Sequence, residues 1–199
     1  MPTLDDVAWP RRTARLLIRR GTAADAAVVW RYAQLPAVTE WETNADVDEA
    51  AFTRRWSDPD KLAVRLVAER EGTIIGDLMV KVEDALGQTE VAEQTRGVHA
   101  EIGWSFDPAF QGHGYATEAA AELLRICFDE LGLRRVTASC FADNTPSWRL
   151  MERLGMRREL ASKAEALHRT RGWLDGYAYA LLAPEWRARP SAERAARRT

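Results

Sequence analysis

The chain has 199 residues, of which 46% are hydrophobic and 29% charged, with a formal net charge of -2. That composition describes a globular protein with enough apolar material for one core. The near balance of charge excludes overall electrostatics as a means of gathering a nucleic acid or an anionic membrane surface. Residues Met1 to Pro10 have neither the basic start nor the apolar stretch of a secretory signal. No apolar run approaches the roughly 18 residues of a membrane span, so the expectation is a cytoplasmic protein. Three regions follow: an N-terminal extension over 1–14, one domain over 15–186, and a basic Arg/Ala-rich tail over 187–199 with little to bury. The two cysteines, Cys127 and Cys140, lack CxxC or His-rich spacing and read as buried thiols.

In chain order, Arg15-Leu16-Leu17-Ile18-Arg19 predicts a first strand, and Thr22-Ala23-Ala24-Asp25 starts a helix that Pro36 closes. Thr39-Glu40-Trp41-Glu42 reads as a loop, followed by a helix over Val47 to Trp56. Leu62 to Ala68 and Thr73 to Val80 predict two strands joined at Glu71-Gly72, an antiparallel hairpin. The polar stretch Glu83 to Gly97 predicts a long connection at the border of a substrate entrance. His99 to Phe106 predicts the fourth strand. Ala120, Leu123, Leu124, Cys127, Phe128 and Leu131 recur at spacings of three and four, which predicts a helix from Thr117 to Leu131 that Gly132 ends. Arg135 to Phe141 is the fifth strand, reached by a right-handed parallel crossover. Asn144-Thr145-Pro146 opens a short helix, and two strands, around Met156 to Leu160 and Tyr177 to Leu182, close the chain.

Between the fourth strand and the well-patterned helix lies Gln111-Gly112-His113-Gly114-Tyr115-Ala116-Thr117. Two glycines let the backbone turn tightly, and the helix that follows adds the positive end of its dipole, so the segment can cradle an anion such as a pyrophosphate. A nucleotide-hydrolase phosphate loop would need a Gly-Lys-Ser/Thr ending, and no lysine is near Gly114. A dinucleotide-binding turn would need a third glycine after a first parallel strand, and here antiparallel strands precede the loop.

The segment resembles the [RQ]-x-x-G-x-[GA] signature of the GNAT superfamily of acyl-CoA-dependent N-acyltransferases, with Gln111, Gly114 and Ala116 at its positions. The resemblance extends from Leu16 to about Trp186. It includes Asn144-x-x-Ser147, then Leu154-Gly155-Met156 and a closing strand from Tyr177 to Leu181, and it is similar in flavour to the ribosomal-protein (Rim) branch. It implies an α/β fold, a single domain with a mixed, mostly antiparallel sheet that splays between the fourth and fifth strands and is flanked by helices. The implied reaction moves an acetyl group from acetyl-CoA to a primary amine by direct attack in a ternary complex, with no metal. The alternatives are a longer or acidic acyl donor such as succinyl-CoA, or a non-catalytic acyl-CoA sensor.

The same resemblance implies a role for each candidate residue. Backbone N–H groups over Gln111, Gly112, His113, Gly114, Tyr115, Ala116 and Thr117 hold the pyrophosphate. The free edge of the fourth strand at Trp104, Ser105 and Phe106 holds the pantetheine arm as a pseudo-strand. Asn144 contacts the same arm, or serves only as a helix cap. Ser147 protonates the departing thiolate, or only bonds its own helix backbone. Glu101 accepts the amine proton directly or through a water, or is a solvent-facing glutamate, and His99 is its substitute on the same strand face. Trp41 and Glu42 bind the acceptor by cation–π and ion pairing, or Trp41 is an apolar lid. The acceptor amine and the choice between monomer and homodimer stay open, and no partner nucleic acid or membrane is expected.

Overall fold

The computed structural model describes residues 1–190. Eight strands share one sheet: β1 (Arg11–Arg12), β2 (Leu17–Arg20), β3 (Arg65–Arg70), β4 (Thr73–Glu83), β5 (His99–Phe106), β6 (Arg135–Phe141), β7 (Arg157–His168) and β8 (Gly172–Leu182). Their order is β1-β2-β3-β4-β5-β6-β8-β7. Every step is antiparallel except β5 to β6, which is parallel. The helices are α1 (Ala26–Ala33), α2 (Pro36–Thr39), α3 (Glu49–Trp56), α4 (Pro59–Leu62), α5 (Tyr115–Arg125), α6 (Thr145–Arg153) and α7 (Ala183–Arg187).

Local chemistry accounts for the register. Glu71 and Gly72 both take positive φ, 51° and 80°. Two such residues make the turn whose twist matches a hairpin, and Arg70 pairs with Thr73 across it. A bulge opposite Ala68/Glu69 shifts the alternation along β4, so that Ile75 joins Leu78 and Val80 in one core while Ile74 stays in the other. On one side, Leu66, Leu78, Ile102 and Phe106 meet Ala119, Ala120, Leu123 and Leu124 of α5. On the other, Val67 and Ile74 meet Val29, Tyr32, Phe52 and Trp56 of α1 and α3. Full burial of each large side chain contributes about 1.5–3 kcal/mol.

Several elements depart from the sequence pattern. The expected fourth strand is the fifth in the chain, because Arg11–Arg12 pairs with Leu17 and Ile18 ahead of it. Leu4 and Val7 join the larger core, so the N-terminal extension packs as part of the domain. Pro36 opens α2 instead of only closing α1, as proline does at a first helical position. The helix after the glycine loop starts two residues early, at Tyr115, and widens into a π-helical turn over Ile126–Glu130. The connection after Glu83 contains a 3-10 turn over Thr89–Thr95. The basic tail falls largely outside the described residues, although α7 reaches Arg187.

The largest difference is the closing hairpin. β7 and β8 run 12 and 11 residues, far beyond the two short strands expected. Their outer halves carry water on both faces, with Leu160, Leu167 and Trp173 exposed, so no apolar alternation marks them. The hairpin tip reaches the segment after α2. His168 Nε2 lies 2.8 Å from the Glu40 carbonyl, and Arg169 donates to the carbonyls of Thr39 and Glu42.

Candidate active site

β5 and β6 pair only at His99↔Arg135, Ala100↔Val136 and Glu101↔Thr137. Beyond that point β5 stays with β4 as far as Phe106↔Gly76, and β6 stays with β8 as far as Phe141↔Gly176. The strands therefore diverge into a wedge, and the edges that face each other across it lack each other as ladder partners. Backbone groups in such a place call for a hydrogen-bonding occupant, and an extended amide-bearing chain meets that need.

The glycine loop closes the end of β5. Asp107 accepts from the Ala109 N–H at 2.9 Å and starts a single 3-10 turn over Pro108–Phe110. Gln111 Nε2 then donates to the Phe106 carbonyl at 3.1 Å, so this side chain ties the loop to the strand. Gly112 and Gly114 take φ of 78° and 82°, where a side chain costs about 1–2 kcal/mol, and Gly114 caps α5. His113 is exposed, with Nδ1 2.7 Å from the Gln111 carbonyl. Tyr115 is buried against the larger core, with Arg15 and Arg70 over its ring at 4.5 and 5.3 Å, so its ring is taken up in packing. Arg15 bonds the His113 carbonyl at 2.9 Å and the buried Glu118 carboxylate at 2.7 Å, which fixes the loop from behind.

A cavity of about 720 Å³ opens where the wedge begins. Its lining includes Trp41, Glu42, Glu101, Trp104, Ser105, Asn144 and Ser147. Seven candidate residues from three separate stretches of sequence thus meet in one space. Phe106 is buried in the core, and neither it nor the loop from Gln111 to Thr117 lines this cavity. His99 also lies outside it, 3.4 Å from Arg134. The stretch Glu83 to Gly97, expected at the entrance, contributes no residue to the lining.

Asn144 is the N-cap of α6, and its side-chain oxygen accepts from the Ser147 N–H at 3.3 Å. Its amide N–H groups remain to donate. Burial pushes the Cys140 thiol up to about 11, against an opposing pull from the Ser147 side chain. Cys140 therefore lines the cavity as a neutral thiol. Trp41 packs against Phe141 and His168 at 5.9 and 5.7 Å between centroids, and Arg171 stands 5.4 Å over its ring. A protein cation already occupies the face that a substrate amine was expected to use. Trp41 thus forms a cavity wall anchored by the hairpin.

A charged cluster behind Glu42 escaped the sequence reading. Asp77 on β4 accepts from the Tyr32 hydroxyl at 3.0 Å and pairs with Arg65 at 3.1 Å. Burial raises the Asp77 carboxyl despite the adjacent Arg65. Arg55 pairs with Asp46 nearby, and all four charged residues line the cavity. The available signal was an aspartate inside the apolar strand Ile74-Ile75-Gly76-Asp77-Leu78. Glu42 itself keeps open surface, but that surface gives onto the cavity. Protein on its remaining sides, then Asp77, push its carboxyl up to about 7, against opposing pulls from the Ser105 hydroxyl, Arg55 and Arg65.

Known proteins agree with this geometry. The model of the acetyltransferase (GNAT) domain matches residues 15–157. The uncharacterized N-acetyltransferase YnaD of Bacillus subtilis (strain 168) is 34% identical over 175 residues, which span 87% of this chain and 97% of that protein. A crystal structure of a GNAT-family acetyltransferase from Bacillus anthracis superposes with a TM-score of 0.74 at 31% identity, over 89% of this chain and 100% of that one. RimJ of Mycobacterium smegmatis, solved in complex with CoA-disulfide, shares the fold with a TM-score of 0.73 at 23% identity, over 95% of this chain and 96% of that one. No metal-binding cluster of His, Cys, Asp or Glu and no helix able to cross a membrane occurs among the described residues. From the parallel wedge, the glycine cradle at its end and the matched sequence, the chain belongs to the GNAT family of N-acetyltransferases.

Proposed function

We propose that the wedge and its cavity transfer an acetyl group from acetyl-CoA to a primary amine by direct attack, with both substrates bound at once. The observation that carries this reading is that the unpaired edge of β5 leads from the glycine cradle into the cavity that holds Asn144, Ser147 and the carboxylates Glu42 and Glu101. The N–H groups of Gly112 to Thr117 face the pyrophosphate, each such bond contributing about 1.5–3 kcal/mol. Trp104, Ser105 and Phe106 offer main-chain groups to the pantetheine arm, and Asn144 adds a side-chain donor. Ser147, in the first turn of α6, supplies a proton to the departing thiolate with support from the helix terminus. Glu101 contributes negative charge that draws the acceptor ammonium into the cavity.

The acceptor is a small amine or the end of a chain, because the cavity that must admit it is walled by Trp30, Val38, Trp41 and Phe52 as well as by charge. Thiol release from acetyl-, propionyl- and succinyl-CoA against a panel of primary amines tests the reaction, with amine-dependent release from acetyl-CoA expected. Retained acyl-CoA binding with no thiol release on any amine would favour an acyl-CoA sensor. Gly114→Val places a branched side chain at a φ of 82° and should reduce CoA affinity by at least about 100-fold in calorimetry, from strain plus lost amide bonds. Unchanged affinity would remove the cradle.

A further inference from the structure

We infer that Glu42, on the segment between α2 and α3, is the proton acceptor for the amine, in place of Glu101. The inference rests on the acetyl-transfer reading and adds to it the group that makes the amine nucleophilic. An ammonium has no lone pair, so one proton must leave before attack.

Position is the first argument. Glu42 and Ser105 line the same cavity, the Ser105 hydroxyl favours the charged form of the Glu42 carboxyl, and Ser105 lies on the part of β5 that has left β6. Ser105, Gly103 and Glu101 share one face of the strand, opposite Asp77, Met79 and Lys81 of β4. Glu101 is therefore about 13 Å from Ser105 along β5, at about 3.3 Å per residue. It stands beside Lys81, which faces it across the ladder and also pairs with Glu83. Glu42 reaches the open end of the wedge and Glu101 its closed end.

Support is the second argument. A proton acceptor must be held in place, and Glu42 lies on a segment pinned through its own carbonyl and that of Thr39 by Arg169, and through that of Glu40 by His168. The third argument is the set of groups that face it. Asp77 from β4 opposes ionisation, whereas Arg65 from β3, Arg55 from α3 and Ser105 from β5 favour it. Tyr32 from α1 bonds Asp77, and Asp46 engages Arg55. With burial, the balance leaves the carboxyl at about 7, where it is both unprotonated in a large fraction and basic enough to act.

The step balances. The Glu42 carboxylate takes one proton from the ammonium, and the freed lone pair forms the C–N bond at the thioester carbonyl. The C–S bond breaks with its electron pair on sulfur. Ser147 passes its hydroxyl proton to the thiolate and is restored by the second proton, which the nitrogen sheds as the amide forms, and Glu42 returns its own to solvent, so one proton is released per turnover.

The test is the pH dependence of kcat/KM for the amine in the full chain. Wild type should rise through a limb near 7. Glu42→Gln should lower kcat by about 100-fold or more, abolish the limb and leave the KM for acetyl-CoA unchanged. Glu101→Gln should keep the limb and raise the KM for the amine. Ser105→Ala, which removes a hydroxyl that stabilises the carboxylate, should move the limb to higher pH. A limb that survives in Glu42→Gln, or one lost in Glu101→Gln instead, overturns the assignment while acetyl transfer stands. A wild type that transfers to no amine overturns the acetyl-transfer reading and this step together. Titration of the 13C-labelled Glu42 carboxyl in wild type gives a readout free of turnover, and a midpoint near the ordinary 4.5 overturns the assignment.

Discussion

Glu42 also has a thermodynamic signature that needs no substrate. A carboxyl whose folded value stands near 7 against an ordinary 4.5 binds its proton more tightly in the native state than in the unfolded chain. Between those values the native state carries more protons, so stability falls as pH rises through the window. The contribution is intact below about 4.5 and lost above about 7. Glu42→Gln removes the ionisation, and its Tm should exceed that of wild type at pH 8 while matching it at pH 4. A constant difference across that range would show that Glu42 is not desolvated. At this scale the sequence was uneven. Gly114 was legible because the tight turn before α5 needs a positive φ, whereas the bond by which Gln111 ties the loop to Phe106 was not. Asp77 was not, since a charge within a strand becomes informative only once Tyr32 and Arg65 are seen to converge on it.

Between elements, the contact with most leverage on the site is the hairpin tip against the α2–α3 segment. β7 and β8 carry Arg169 some 130 positions along the chain to the carbonyls that hold Trp41 and Glu42 in place. Arg169→Ala deletes both bonds and leaves the cradle untouched. It should raise the KM for the amine several-fold, with the KM for acetyl-CoA unchanged and faster amide exchange confined to the segment after α2. Equal effects on both substrates would mean that the tip supports the fold at large. This arrangement was hidden from the sequence for a physical reason. Strands are announced by one-sided burial, and the outer halves of β7 and β8 have water on both faces. The hairpin at Glu71-Gly72 and the parallel crossover were legible because each rests on a local rule, a two-residue turn in one case and a strand-helix-strand order in the other.

For the whole molecule, burial on both faces of the sheet separates two tasks. The larger core sets α5 and the glycine loop, and the smaller core, through α1 and α3, sets one wall of the cavity. On the proposed reading, donor recognition is written in the glycine loop and acceptor recognition in cavity-lining residues scattered from Val29 to Met151. Only the first could be read from a contiguous motif. The wedge has one more consequence. Strands β1 to β5 form one panel and β6 to β8 another, and along the sheet they are stitched by only three residue pairs. An acyl-CoA lying between them would act as a splint across that seam. Acetyl-CoA should slow amide exchange at His99 to Glu101 and Arg135 to Thr137, behind the apex and away from the ligand, as well as at the cradle. Slowing at the cradle alone would mean that the two panels are already rigid without their donor.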